Sequence, residues 1–269
     1  MFWAELNMVF IPSHFTSTLK KIISTLFLAF IVLTTFAQYK MRTVDELINR
    51  KEPGWPIVKK WIDSAKNKVE ILPVDTSRAR DALYKTQVTT RSVMGAIVYS
   101  TGGILIDDGW IRILGSGSSR MQRILPDWNK GKAFNEFGER PEYFLVADDA
   151  AGGFFAMNYG SFGKDMDNIY YLSPENLKWE PTEMTYEDFI WFCFNGDIKK
   201  FYSGIRWSSW RKDVKGLKAD EVFHIVPPLW SKEGKDLDKS LKKPVPAEEQ
   251  FSYNLQMHKA MGLDKNGDQ

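Results

Sequence analysis

The chain has 269 residues, of which 43% are apolar, 14% aromatic and 26% charged. That composition excludes a disordered, collagenous or disulfide-built protein and allows a substantial core. The formal net charge is +2; so slight an excess excludes the broad basic footprint that non-specific nucleic-acid binding needs.

Lys20 and Lys21 precede an uncharged, mostly apolar run from Ile22 to Ala37, and polar sequence follows at once. This is the pattern of a signal peptide, with Thr35-Phe36-Ala37 offering small residues for cleavage after Ala37. At the helical rise the run spans roughly 24 Å, short of the ~30 Å hydrocarbon layer, so cleavage is expected over permanent anchoring. The expected organisation is a leader over 1–37, one domain over 38–230, and a loosely held polar tail over 231–269 with room for a short terminal helix in EEQFSYNLQMHKAMG. The mature chain is then exported, and it meets the membrane only if the leader is retained. Its single cysteine, Cys193, lies among bulky apolar residues and reads as a buried, inert thiol.

Thr43-Val44-Asp45-Glu46 has the form of a capping box and predicts a short helix that Glu52-Pro53-Gly54 stops. Pro56 suits the first turn of a second helix, with Ile57, Val58, Trp61, Ile62 and Ala65 at helical spacing. A short strand is expected over 69–72, a third helix capped by Asp75 or Thr76, and a fourth element over 91–99 that ends at Gly102-Gly103. The period then changes. Ile104 to Ile106 and Trp110 to Leu114, joined by Asp107-Asp108-Gly109, predict a β-hairpin. Tyr143 to Ala147 and Gly153 to Asn158 predict a second, and Asn168 to Leu172 and Leu177 to Trp179 two further strands. Thr185 to Asp188 repeats the capping signature before a strongly apolar helix. Asn195-Gly196 predicts a left-handed stop, and Asp197 a cap for one more turn through Phe201. The fold class expected is α+β, an antiparallel meander flanked by helices.

Beyond the leader only His224 and His258 remain. They are too few and too far apart for a two-histidine zinc motif or a cysteine–histidine pair, so no metal, cofactor or catalytic set is assigned. His224 reads as a partly buried, satisfied ring and His258 as a solvated residue of the tail. Gly115 to Ser119 lacks the lysine of a phosphate-binding loop and reads as a flexible strand exit. Asp107 with Asp108, and Asp148 with Asp149, are paired carboxylates at strand ends; they read first as turn residues and second as an acid/base or cation site. Arg206, Trp207, Trp210 and Arg211, in SGIRWSSWRK, form the stretch most suited to contacting a partner.

These elements, in order, resemble the SUKH superfamily and an uncharacterised bacterial family associated with it. The resemblance rests on VEILP, RSVMGAIVYSTGGILIDDGWIRILGSG, FLVADDAAGGFFAMN, IYYLSPENLKWEP and MTYEDFIWF, and covers roughly Thr43 to Lys212. It implies an α+β binding module, in relatives often an immunity protein that neutralises a toxin. The expectation is therefore an exported, non-catalytic module that binds a protein partner. The alternatives are an envelope hydrolase or carbohydrate-binding protein that uses the paired aspartates, and a toxin-neutralising immunity protein.

Overall fold

A computed structural model describes residues 40–263, nearly all within one unit, Met41–Gln269. The expected leader and its cleavage site lie outside the described residues.

Capping explains where the first helices begin. In α1 (Val44–Leu47) the Thr43 hydroxyl accepts from the Glu46 amide while the Glu46 carboxylate accepts from the Thr43 amide. α2 (Trp55–Asp63) carries proline in its first turn, α3 (Thr76–Thr86) is capped by Asp75 through the Arg78 amide, and α4 (Val93–Ser100) by Ser92 through the Gly95 amide. Of the apolar stripe expected along α2, only Val58 is fully buried, and Ile57 is exposed.

Seven strands form one antiparallel sheet in chain order: β1 (Val69–Ile71), β2 (Gly103–Ile106), β3 (Ile111–Leu114), β4 (Tyr143–Asp149), β5 (Phe154–Asn158), β6 (Asn168–Leu172) and β7 (Trp179–Thr185). A short helix, α5 (Leu125–Asn129), lies between β3 and β4. β2 and β3 join at Asp107-Asp108-Gly109, where all three residues have positive φ, a conformation that aspartate and glycine tolerate best. β4 runs two residues further than the sequence suggests, taking Asp148 and Asp149 out of the expected turn and into the ladder opposite Arg112 and Ile111.

After β7 come α6 (Tyr186–Asn195), which opens on a Thr185–Asp188 capping box, α7 (Ile198–Phe201), capped by Asp197, and α8 (Trp210–Gly216). The left-handed stop expected at Gly196 is absent: its φ of −76° is extended backbone, and its amide bonds the Phe192 carbonyl instead. The fold is α+β.

The expectation of a loosely held tail after Trp230 does not hold. β8 (Glu221–Val226) pairs along its whole length with β9 (Leu241–Pro246), and α9 (Ala247–Ala260) buries Ala247, Gln250, Phe251 and Asn254. Lys and Asp dominate this stretch on its solvated side and conceal how few apolar positions it needs to dock. His258, expected in solvent, is part-buried, with Nδ1 2.6 Å from the Leu177 carbonyl.

That C-terminal layer explains why β2 to β6 are apolar on both faces. Successive strand residues point to opposite sides. Phe154 meets Phe251 of α9 edge to face at 4.9 Å, whereas Phe155 meets Phe189 of α6 at 4.7 Å. One face of the sheet is thus covered by the C-terminal layer and the other by helices that include α6. Gly115 to Ser119 is likewise no flexible exit. Ser116 is fully buried and bonds the Thr101 carbonyl through both its amide and its hydroxyl. Only glycine fits at position 102, because a Cβ there would lie 2.4 Å from the Pro73 carbonyl oxygen.

Candidate functional site

The two aspartate pairs have different fates. In β4, alternation sends Asp148 and Asp149 to opposite faces. Asp148 faces the C-terminal layer between two arginines: its Oδ1 lies 2.6 Å from Arg112 Nη2, and its Oδ2 pairs with Arg123 Nη1. Arg112 and Asp148 are each only 1% exposed. Arg112 also donates to the Glu221 carbonyl, and Arg123 to Asp220 and the Ala219 carbonyl, tying β3 to the start of β8. Burial pulls the Arg112 guanidinium below its usual value, opposed by Asp148. Burial acts on Arg123 in the same sense, but Asp148 and Asp220 outweigh it and hold that guanidinium above its usual value.

Asp149 faces the helical layer and is completely buried. Its Oδ1 accepts from the amides of Ala151 and Gly153; its Oδ2 accepts from the hydroxyls of Tyr171 at 2.7 Å and Tyr202 at 3.2 Å. Burial raises its carboxyl above the usual range, with the Tyr171 hydroxyl and the Gly153 amide opposing. Gly153 is required here, since a Cβ would lie 2.3 Å from the Tyr171 oxygen and 2.4 Å from Asp149 Oδ2. Neither carboxylate of this pair reaches solvent, and each ties its strand to the layer it faces.

The first pair stays at the surface and meets the arginine–tryptophan stretch. Asp107 lies 2.8 Å from Arg206 and 3.5 Å from Arg211, and Asp108 pairs with Lys68, whose hydrogen bond holds its carboxyl below the usual range. Arg206 lies 3.9 Å from the centre of the Trp210 ring, 4.7 Å from Trp110 and 5.2 Å from Tyr202. Burial lowers its guanidinium from the usual value, and Asp107 opposes that. Arg211 covers the same Trp210 ring at 4.4 Å. Asp107, Asp108, Tyr202, Arg206, Trp210 and Arg211 line a groove of about 770 Å³, to which Lys66 and Lys199 also contribute, and Trp110 lies buried behind it.

The tryptophans are not the exposed contact residues that the sequence suggests. Trp207 is 2% exposed and Trp210 7%. Trp207 packs edge to face on Phe223 and donates from Nε1 to Asp213; the Trp110 ring lies 5.4 Å from that of Tyr202 and 5.6 Å from that of Trp207. They form the floor on which the charges are laid. Of the eight residues singled out from the sequence, Asp107, Asp108, Arg206, Trp207, Trp210 and Arg211 meet at this groove, and Asp148 and Asp149 do not.

The residues that sequence reasoning missed are Trp110, Arg112, Arg123, Tyr171, Tyr202 and Asp220. Arg112 carried a readable signal: a lone charge between Ile111 and Ile113 in a strand that is otherwise wholly apolar needs a buried partner. Tyr202 carried none, because its role depends on α7 folding back over β4 and β6. His224 agrees with its bland reading, its Nδ1 2.9 Å from Gln250 Oε1. Cys193 is buried, which pushes its thiol well up. Among the described residues no group of three or more His, Cys, Asp or Glu side chains is arranged to hold a metal ion.

The chain matches the family described as "Protein of unknown function DUF2625" over residues 44–250. It belongs to that family. The matched span takes in β8 and, past Trp230, β9 and the start of α9, consistent with the C-terminal layer being part of the fold. Among its relatives is a protein of Haemophilus influenzae described as "Uncharacterized protein", 42% identical over 215 residues, which are 80% of this chain and 94% of the relative. Another is "Putative uncharacterized protein YbfG" of Escherichia coli strain K12, 43% identical over 190 residues, 71% of this chain and 86% of the relative. No solved structure matches the chain significantly.

Proposed function

We propose that this family member is an exported, non-catalytic interaction domain whose protein partner seats in the groove beside the Asp107–Gly109 turn. The observation that carries this reading is the convergence of Asp107, Arg206 and Arg211 around the Trp210 ring at a groove open to solvent. A rigid aromatic floor under fixed charges is the arrangement that gives interfaces their strongest contacts. The buried state of Asp148 and Asp149 weakens the paired-aspartate hydrolase as a rival, because it removes two of the four carboxylates that reading requires. Export is supported by the Lys20-Lys21 start and the apolar run to Ala37. Likeness to the SUKH superfamily belongs to the same reading, and a toxin-neutralising role is the version of it in which the partner is a toxin.

The test is a photo-activated cross-linking residue at position 211, which is 64% exposed, in the full chain expressed in its own cell envelope. The expected result is one dominant cross-linked protein, absent when the same residue replaces Ile57 on α2. Equal cross-linking from both positions contradicts the groove as the interface.

A further inference from the structure

Arg206 is nine-tenths buried, yet its guanidinium uses only one edge. Nη1 meets Asp107, while Nε and Nη2 have no hydrogen-bond partner. Those two nitrogens present parallel N–H groups from one side of the plane, the fork that takes both oxygens of a carboxylate. Trp110 Nε1, fully buried against the same guanidinium, is also without a partner. Three of the five buried side-chain polar atoms left without a partner among the described residues therefore lie in this one aromatic box, and all three are donors. Buried donors are nearly always satisfied, so a cluster of orphans of one kind marks a place for an acceptor.

Charge narrows the acceptor further. Asp107 neutralises one of the two arginines that approach it, which leaves a single positive charge over Trp210. Along the rest of the groove Lys68 pairs with Asp108, and the exposed Lys66 and Lys199 share the lining with Asp197 and Asp238, so the lining as a whole carries a net charge of about +1. A singly charged, planar anion matches both the fork and the local charge better than a phosphate dianion.

We infer that the Arg206 fork, with Trp110 Nε1 beside it, is the anchor for a carboxylate carried by a peptide segment of the partner. Asp107 holds Arg206 by the opposite edge and so orients the fork without occupying it. The fork nitrogens and Trp110 Nε1 are closed to solvent behind the surrounding rings, while Arg206 itself lines the groove wall, so an entering carboxylate reaches them only as those rings part. This inference deepens the interaction reading and rests on it, because it names the chemistry that the groove recognises.

The test follows the Arg206 Nε–H and Trp110 Nε1–H signals by NMR in the ¹⁵N-labelled full chain, assigned with Arg206→Lys and Trp110→Phe. Three hexapeptides are titrated in: one capped at both ends with glutamate side chains, one with glutamine in their place and a free C-terminus, and one capped with phosphoserine. Saturable movement of both signals with either carboxylate peptide is expected, and which one acts identifies the carboxylate as side-chain or terminal. Arg206→Lys, which keeps the charge and loses the fork, should weaken that binding at least tenfold under conditions in which the variant is still folded. Should that variant fail to fold, the wild-type signals decide alone. Unmoved signals at millimolar peptide, equal binding by Arg206→Lys, or a response to the phosphoserine peptide only would each overturn the inference. Cross-linking from position 211 that persists beside unmoved signals leaves the interaction reading standing and removes only the fork.

Discussion

Asp148 and Asp149 are adjacent in one strand, yet their carboxylates are on opposite sides of the sheet, one between two arginines and the other beneath two tyrosines. Strand alternation alone produces the division. Two acids that look like a catalytic pair in sequence become separate supports for separate layers.

For Asp149, truncation and isosteric replacement should differ sharply. Asp149→Ala strands four donors in the interior, and a loss of about 3–5 kcal/mol is expected. Asp149→Asn keeps an oxygen for the two amides, and the tyrosine hydroxyls can turn to accept from the new NH₂ group, so its loss should be smaller. Urea midpoints of the two variants check this.

The same residue sets a pH dependence. Burial raises the folded carboxyl above its unfolded value of about 3.9, so the folded state binds the proton more tightly than the unfolded chain. Its contribution to stability is largest below the unfolded value and declines as pH rises through the folded one. Asn cannot titrate, so the stability advantage of wild type over Asp149→Asn should shrink between pH 4 and pH 7. Urea unfolding of both proteins at the two pH values measures it; an advantage that grows with pH would contradict the assignment.

Removing Asp148 should be as damaging for a different reason. Asp148→Ala leaves Arg112 without its carboxylate in a fully buried site and takes one of two carboxylates from Arg123, a loss of about 3–5 kcal/mol. Replacing both members, Arg112→Met with Asp148→Leu, should recover part of that loss, because the desolvated charges go together. A double variant no more stable than Asp148→Ala would contradict this account of the network.

The C-terminal layer should be part of the cooperative unit. Phe251→Ala opens a cavity against Phe154 and Trp128 and should cost about 3–5 kcal/mol, read from a single shared unfolding transition. A peripheral tail would instead leave the midpoint in place.

The meander and most of its helices were legible in the sequence because their signals are local. Thr43 and Thr185 announce capping boxes three residues ahead, and Asp107-Asp108-Gly109 can hardly be other than a hairpin turn. β9 was not legible, and α9 only as a short terminal helix without its docking. Their apolar residues are spaced among lysines and glutamates, and β9 is a strand only because Glu221–Val226 waits to pair with it. The candidate site was half legible. Arg206 and Arg211 were found by their aromatic neighbours, but the burial of Trp207 and Trp210 depends on Trp110 and Phe223, which are far away in sequence. Asp148 and Asp149 misled because the strand extends two residues past the point at which its apolar run ends.

The measurement that bears most directly on the proposed role is calorimetric titration of the cross-linked partner, once purified, into wild-type protein and into Arg211→Glu. Arg211 is mostly exposed, so the substitution should leave the melting temperature unchanged. Reversing its charge beside Trp210 should weaken binding tenfold or more. Equal affinity for the two proteins would contradict the groove as the working surface of this molecule.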